Sequence, residues 1–429
     1  MSSLNLQSPK ISLRLSYVFF TFSLVTVLYY YRLGGSRDFG LYVNAGRAFI
    51  TGENAYETQL WRSGSFGSTA IWLLSLPIPS SLEPQFFQLL SFIGFFVFAN
   101  LLGIATEKRY WIYGFILFLS PVREVVNTIQ ITGFVIGLLA FSLLARGPKS
   151  VVPPLLYKFL QGTALAIALD LKPHSIVFVI LLLFANKIMR EVVFWAVGIV
   201  LIGHTVVNVI HRNILEVSWL RSIMNLGNAS GENGESTSIW RLVDHFSRGN
   251  INTSVISALI IVCILLAVGV YGKRLSPTDL IVVGLITSSF MTYMHYYDLA
   301  PLSVCTLVVL SKHTKSILGL SCVMFMILPR EIETTRNVFI FILLTVLIVR
   351  FLEINYGGIS NGFRSIGLAL SIFFGLHLMN HLLDFDYRLG HALVTTQTMI
   401  LILWFMLSKL KLNHGLEFLS GNRMRQGKS

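Results

Sequence analysis

The sequence predicts an all-α polytopic membrane protein, and three observations carry that prediction. Of 429 residues, 54% are hydrophobic and only 12% charged, about half the charge of an ordinary soluble domain. The apolar residues gather into many separate runs, several of them long enough for a helix to cross a hydrocarbon core of about 30 Å. Lysine and arginine collect at alternate ends of these runs, as the positive-inside rule requires. Lipid offers no hydrogen-bond partners to a backbone, and the alternating pattern of barrel strands is missing, so the runs are read as helices.

Taken in order, the first run is 15–33, with Lys10 and Arg14 on its cytoplasmic flank. It is too long for a secretory signal and lacks a small-residue cleavage site, so it is expected to be a retained span. An outer loop, 34–83, follows; within it 69–78 is apolar, is stopped by Pro77 and Pro79, and reads as an interfacial helix. Further spans are expected at 85–106, 110–121, 127–145, 156–169, 174–186 and 192–210. A second outer loop, 211–252, is rich in Gly, Asn and Ser and then amphipathic from Ser238 to Phe246. It is either a cover over a site or a plain solvated connector. Beyond it, spans are expected at 253–271, 279–294, 298–311, 316–329, 337–351, 364–380 and 391–408. The count is about 12–14 transmembrane helices with both termini cytoplasmic. Residues 1–412 thus form a single transmembrane domain, and 413–429 a basic, disordered cytoplasmic tail.

On this topology every lysine except Lys172 faces the cytoplasm, while most carboxylates, including Asp38, Glu124, Asp170 and Asp298, lie on the outer side. Polar chemistry is therefore expected on the outer face. The net charge of +13 anchors the inner face to anionic lipid, at about 1 kcal/mol per basic residue near the surface. With no soluble domain to carry a basic stripe, it does not indicate nucleic acid. Cys263, Cys305 and Cys322 all fall in apolar runs and give neither a disulfide framework nor metal spacing. His377 and His381 share a helix face but lack the companion glutamate of a zinc-protease helix.

The most informative stretch is Asp38-Phe39-Gly40-Leu41-Tyr42-Val43-Asn44-Ala45-Gly46-Arg47-Ala48, closing at Gly52 to Tyr56. Asp38 stands just past the outer end of the first span, at the water–lipid boundary, where a lipid-linked reactant and a water-soluble one can both reach it. Further on come Ser120-Pro121 followed by Gln130, then Leu171-Lys172-Pro173-His174, then His295-Tyr296-Tyr297-Asp298-Leu299. This order, over about residues 15–300, resembles the GT-C superfamily of polyprenyl-phosphate-sugar-dependent glycosyltransferases, in particular its family 87, the mannosyltransferase-like branch. Ile129 stands where that family often has glycine, and Asp170 before Leu171-Lys172-Pro173 is unusual for it. The resemblance implies a GT-C type fold. It also implies transfer of a hexose, with mannose the leading candidate, from a polyprenyl-phosphate donor to an acceptor glycan or glycolipid on the extracytoplasmic face.

The chemistry of such a transfer specifies the residues it needs. The acceptor hydroxyl must lose a proton, for which a carboxylate serves as general base, typically worth about 10²–10⁴ in rate. The leaving group is a phosphate monoester, so a cation must stabilise developing negative charge. Asp38 is the candidate base; alternatively it caps a juxtamembrane helix beginning near Leu41. Lys172 is the candidate cation because it breaks the sidedness of the other lysines and sits beside Pro173, between two short spans. Its alternative is a lysine snorkelling to the interface with Asp170 as partner. His174 and His295 are candidate donors to the phosphate, and Tyr296 stacks on a sugar ring or belongs to an interfacial belt. Arg47 and Arg123 are secondary phosphate candidates or surface ion pairs. Gln130 is placed on the outer turn of its span, against a sugar hydroxyl or a neighbouring helix, and Tyr42 accompanies Asp38 in the donor site.

No cofactor is expected, since a monophosphate can be handled by Lys, Arg and His; a divalent ion is the alternative. The expected partners are the polyprenyl-phosphate sugar, the lipid or glycan acceptor and membrane lipids. A bacterial inner membrane is the expected location, the endoplasmic reticulum the alternative. Two rival functions are a transporter or flippase of lipid-linked sugars, which predicts inverted repeats and mid-membrane charges, and a glycan polymerase or ligase, which needs no base in the first loop.

Overall fold

The computed structural model describes residues 9–30, 37–58, 63–144, 154–172, 175–184, 187–211, 238–240, 250–271, 275–291 and 295–312, with isolated residues 218, 243, 247, 398 and 402. Among them all regular structure is helical. In chain order the helices are α1 (Pro9–Tyr30), α2 (Arg37–Thr51), α3 (Ala55–Thr58), α4 (Ser65–Ser75), α5 (Glu83–Leu101), α6 (Arg109–Phe118), α7 (Ser120–Asn127), α8 (Thr132–Leu144), α9 (Pro154–Leu171), α10 (Ile176–Leu183), α11 (Lys187–Ile210), α12 (Thr253–Tyr271), α13 (Pro277–Ser289) and α14 (Ala300–Lys312). A 3-10 turn, Tyr296–Leu299, leads into α14. Apart from residues 398 and 402, the expected spans beyond α14 and the tail 413–429 lie outside the described residues.

Among the described residues, three helical segments are long and apolar enough to cross a bilayer: Glu83–Leu101, Met189–Ile210 and Thr253–Tyr271. The last two show large apolar side chains outward, among them Phe194, Leu201, Ile202 and Val209 on α11 and Val255, Leu259, Leu266 and Val270 on α12. This is the surface that a helix facing lipid presents. Helices α5 and α8 approach closely because Gly94 faces Gly133 and Gly137, so their backbones meet where side chains would intervene. Helix α1 packs on α6 through an aromatic seam in which the Phe19 ring lies 5.0 Å from both Trp111 and Phe115.

Several expected boundaries are corrected. The runs at 110–121 and 127–145 are not two plain spans: α6 stops at Phe118, and α7 and α8 are bent through 114°. The cause is local. Gln130 N–H bonds back to the Val125 carbonyl and Ile129 N–H to that of Val126, which is the Schellman closure of α7 with Ile129 in the position glycine normally fills. Accordingly Ile129 has φ +51°, in the left-handed region. Gln130 therefore lies in the break between α7 and α8, not on the outer turn of a span. The run at 174–186 is α10, whose eight residues rise only about 12 Å, too short to cross.

Helix α2 begins at Arg37, earlier than the start near Leu41 that the sequence suggests. Phe39, Tyr42, Ala45 and Phe49 form its buried face at helical spacing. Gly46 is required by α4: a Cβ there would lie 2.2 Å from the Ser68 carbonyl oxygen. Helix α4 starts at Ser65 instead of Thr69 and is wedged between α2 and α9 with Ser65, Ser68, Thr69 and Ile71 buried, so it is not a simple surface helix. The indole of Trp240 and the hydroxyl of Ser257 both donate to the Phe290 carbonyl, each at 2.5 Å. They tie the stretch at 238–240 and α12 to the C-terminal end of α13.

Candidate functional site

Lys172 follows the last residue of α9, with its amide still bonded to the Ala168 carbonyl at 3.1 Å. Pro173 has no amide hydrogen with which to extend the helix, and the Ser175 N–H donates to the Lys172 carbonyl at 2.8 Å. The ammonium is thus delivered to the junction between α9 and α10. There its Nζ lies 2.8 Å from Asp298 Oδ1, with both side chains at most 10% exposed. The sequence suggested Asp170 as its partner; the structure replaces it with a carboxylate 126 residues away.

Asp298 is fixed by its own turn. Its Oδ2 accepts the His295 N–H at 3.1 Å, and its amide donates to the His295 carbonyl at 3.0 Å. The Tyr297 ring lies 4.9 Å from Lys172 Nζ, within reach of a cation–π interaction, and the His295 ring stacks on Tyr297 at 4.9 Å. Helix α7, which carries Arg123, packs against this turn. Parts of the three stretches chosen for their chemistry, α7, Lys172 and the turn 295–299, therefore converge.

Beside the ion pair is a cavity of about 50 Å³, room for a few water molecules or one small polar group. Lys172, Asp298, Thr132, Ser175 and Ser288 give it a polar side, and Val135, Leu139, Phe178 and Leu285 an apolar one. Thr132 is buried and, among the described residues, its Oγ1 has no hydrogen-bond partner. A buried hydroxyl left in this state is what a ligand hydroxyl or phosphate oxygen would satisfy. Among the described residues no group of three or more His, Cys, Asp or Glu is placed to hold a metal ion.

A second polar cluster lies on the other side of the end of α9. Asp170, 7% exposed, accepts the Gly67 N–H on Oδ2 and lies 2.5 Å from His204 Nε2 through Oδ1. The other ring nitrogen of His204 is 3.1 Å from Ser65 Oγ. Gly64 N–H donates to the Asp170 carbonyl at 2.7 Å. The Tyr56 hydroxyl donates to the Ser63 carbonyl at 3.0 Å; burial first, and then the Asp170 charge, push its phenol far above the ordinary value of 10.0. It therefore remains a donor.

Not every candidate joins the site. Arg47 is exposed on α2, and Tyr42 is buried in the core of that helix. Gln130 is buried just ahead of Thr132, with its carbonyl accepting from Ser91 Oγ at 2.8 Å. The side chains of Asp38 and Tyr296, and His174 altogether, lie outside the described residues. Thr132, Ser175, Ser288 and the pairing of Asp298 were not identified from sequence. Asp298 had one usable signal: a lysine that breaks the sidedness expected of the others needs a carboxylate, and Asp298 closes the aromatic motif. Comparison with known proteins finds no family model, no curated protein and no solved structure that matches this chain.

Proposed function

We propose that the protein is a membrane glycosyltransferase of GT-C type, acting on the extracytoplasmic face of a bacterial inner membrane. It moves a hexose, mannose being the leading candidate, from a polyprenyl phosphate to a glycan or glycolipid acceptor. The acceptor hydroxyl attacks the anomeric carbon as the bond from that carbon to the phosphate oxygen breaks, inverting the centre. Asp38 takes the hydroxyl proton, and the polyprenyl phosphate leaves with the bonding electron pair beside Lys172. The observation that carries this reading is the buried Lys172–Asp298 pair at the polar edge of a largely apolar cavity. An ammonium has three donors, so Lys172 can hold Asp298 and a phosphate oxygen together.

The test is sugar transfer from a radiolabelled polyprenyl-phosphate sugar in reconstituted membranes, with thermal stability followed in parallel. Lys172→Ala should abolish transfer while Lys108→Ala leaves it intact. Because Lys172→Ala alone strands a buried carboxylate, which costs about 3–5 kcal/mol, the double variant Lys172→Met/Asp298→Asn, which removes both charges and keeps an acceptor for the His295 N–H, is the cleaner probe. It should fold as well as the wild type and transfer nothing. Asp38→Asn keeps size and loses the proton acceptor, and should retain stability while losing at least a hundredfold in rate, the lower end of general-base effects. Normal transfer by stable Asp38→Asn or by the double variant would sink the mechanism.

One observation favours a second reading. The 114° break between α7 and α8, next to a buried ion pair, is the discontinuous-helix arrangement that transporters use at substrate sites. A flippase of lipid-linked sugars would move the labelled lipid between leaflets and release no sugar.

A further inference from the structure

We propose that Asp170 is a positioning residue for Lys172: it locks the end of α9 against α4 and α11 so that the ammonium is held over the cavity. The proposal rests on the reading of Lys172 as the cation of the site. Two residues along a helix is a rotation of about 200°, so Asp170 and Lys172 project from opposite sides of the last turn. Lys172 engages the turn at 295–298. Asp170 engages α4 through Gly67 N–H and α11 through His204, and its carbonyl receives Gly64 N–H.

The contact with α4 has a specific cause. The N-cap of α4 is Gly64, which has no side chain to satisfy the first amides of the helix. Asp170 supplies the missing acceptor from another helix and places its carboxylate where the helix dipole favours an anion. Gly64 cannot be larger, because a Cβ there would overlap Asp170 Oδ1. Since α4 is also the helix on which α2 packs, Asp170 links the helix that begins at Arg37 to the position of Lys172.

The sequence of contacts Ser65, His204, Asp170 has the composition of a hydrolytic triad, but its geometry rejects that role. Ser65 is 1% exposed and bonds through Nδ1, while Asp170 sits on Nε2. A nucleophile sealed from substrate cannot react. The ring is a strut: with Nε2–H donating to the carboxylate, Nδ1 accepts from the serine hydroxyl.

The decisive measurement needs no substrate. Thermal stability in detergent is compared for the wild type, Asp170→Ala, Asp298→Asn and the double variant. If Asp170 sets the position of Lys172, Asp298→Asn should lower the melting temperature less than half as much in the Asp170→Ala background as in the wild type, because the ion pair is already misplaced. Additive losses would overturn the proposal. Should Asp170→Ala fail to fold, His204→Ala takes its place in the same cycle, its side chain being 27% exposed and its loss milder. A second arm uses transfer activity. Asp170→Asn, which keeps an acceptor for Gly67 N–H, should recover at least half of wild-type transfer, where Asp170→Ala falls tenfold or more. Equal losses in the two would overturn positioning by geometry. Absence of transfer by the wild type would instead remove the glycosyltransferase reading, and the stability cycle would still decide the role of Asp170.

Discussion

Ile129 is the only non-glycine residue with positive φ among the described residues. Its backbone pays about 1–2 kcal/mol for the left-handed conformation, yet its side chain is buried, and truncating a buried isoleucine costs about 2–5 kcal/mol. Burial wins, so Ile129→Gly should be net destabilising by about 1–3 kcal/mol, read as a lower melting temperature; a gain would show that the strain dominates. Tyr56 gives a pH test. An acid whose folded pKa is raised contributes stability that is complete below its unfolded value of 10.0 and is lost as pH rises past it toward the folded value. The stability advantage of wild type over Tyr56→Phe, present at neutral pH through the bond to Ser63, should therefore shrink steadily above about pH 10. A constant difference would mean that the phenol is not shielded. The partner of Lys172 was not legible in the sequence, because proximity along the chain favours Asp170, while the helical rotation that separates the two side chains becomes visible only when α9 is known to end there.

Helices about as long as the hydrocarbon core is thick were legible, since lipid demands a contiguous apolar run; α5, α11 and α12 fall close to 85–106, 192–210 and 253–271. The segment from 109 to 144 was legible only in part: polar residues between 123 and 130 separate two runs, but the two backbone hydrogen bonds that turn the chain at the end of α7 leave no mark on hydropathy. Helix α4 was only half visible for a related reason. Its polar residues Ser68 and Thr69 look exposed in sequence, but their hydroxyls bond to the Gly64 and Ser65 carbonyls of the same helix and so can be buried. The contact between α2 and α4 is tight enough to test: Gly46→Val would drive its side chain into backbone at Ser68 and should lower the melting temperature by several degrees, as expected for about 1–3 kcal/mol of overpacking. An unchanged melting temperature would mean that the two helices separate easily.

For the molecule as a whole, the lysine bias predicts sidedness. A reporter fused after Gly231 should read as extracytoplasmic and one after Lys273 as cytoplasmic; a cytoplasmic signal at Gly231 would place the cavity on the wrong face for the proposed reaction. The candidate site was legible as a set of separate motifs and not as a place, since what assembles it is the packing of α7, α9 and the turn before α14, segments distant in sequence. The bond from Trp240 to the Phe290 carbonyl has an optical consequence. Phe290 immediately precedes Met291, which borders the cavity, so this buried indole is an emitter wired to the cavity wall. Subtracting the spectrum of Trp240→Phe from that of the wild type isolates its fluorescence, and a polyprenyl-phosphate sugar that seats a phosphate oxygen against Lys172 at the cavity should shift or quench that difference signal. A donor that binds without altering it would have to lodge elsewhere.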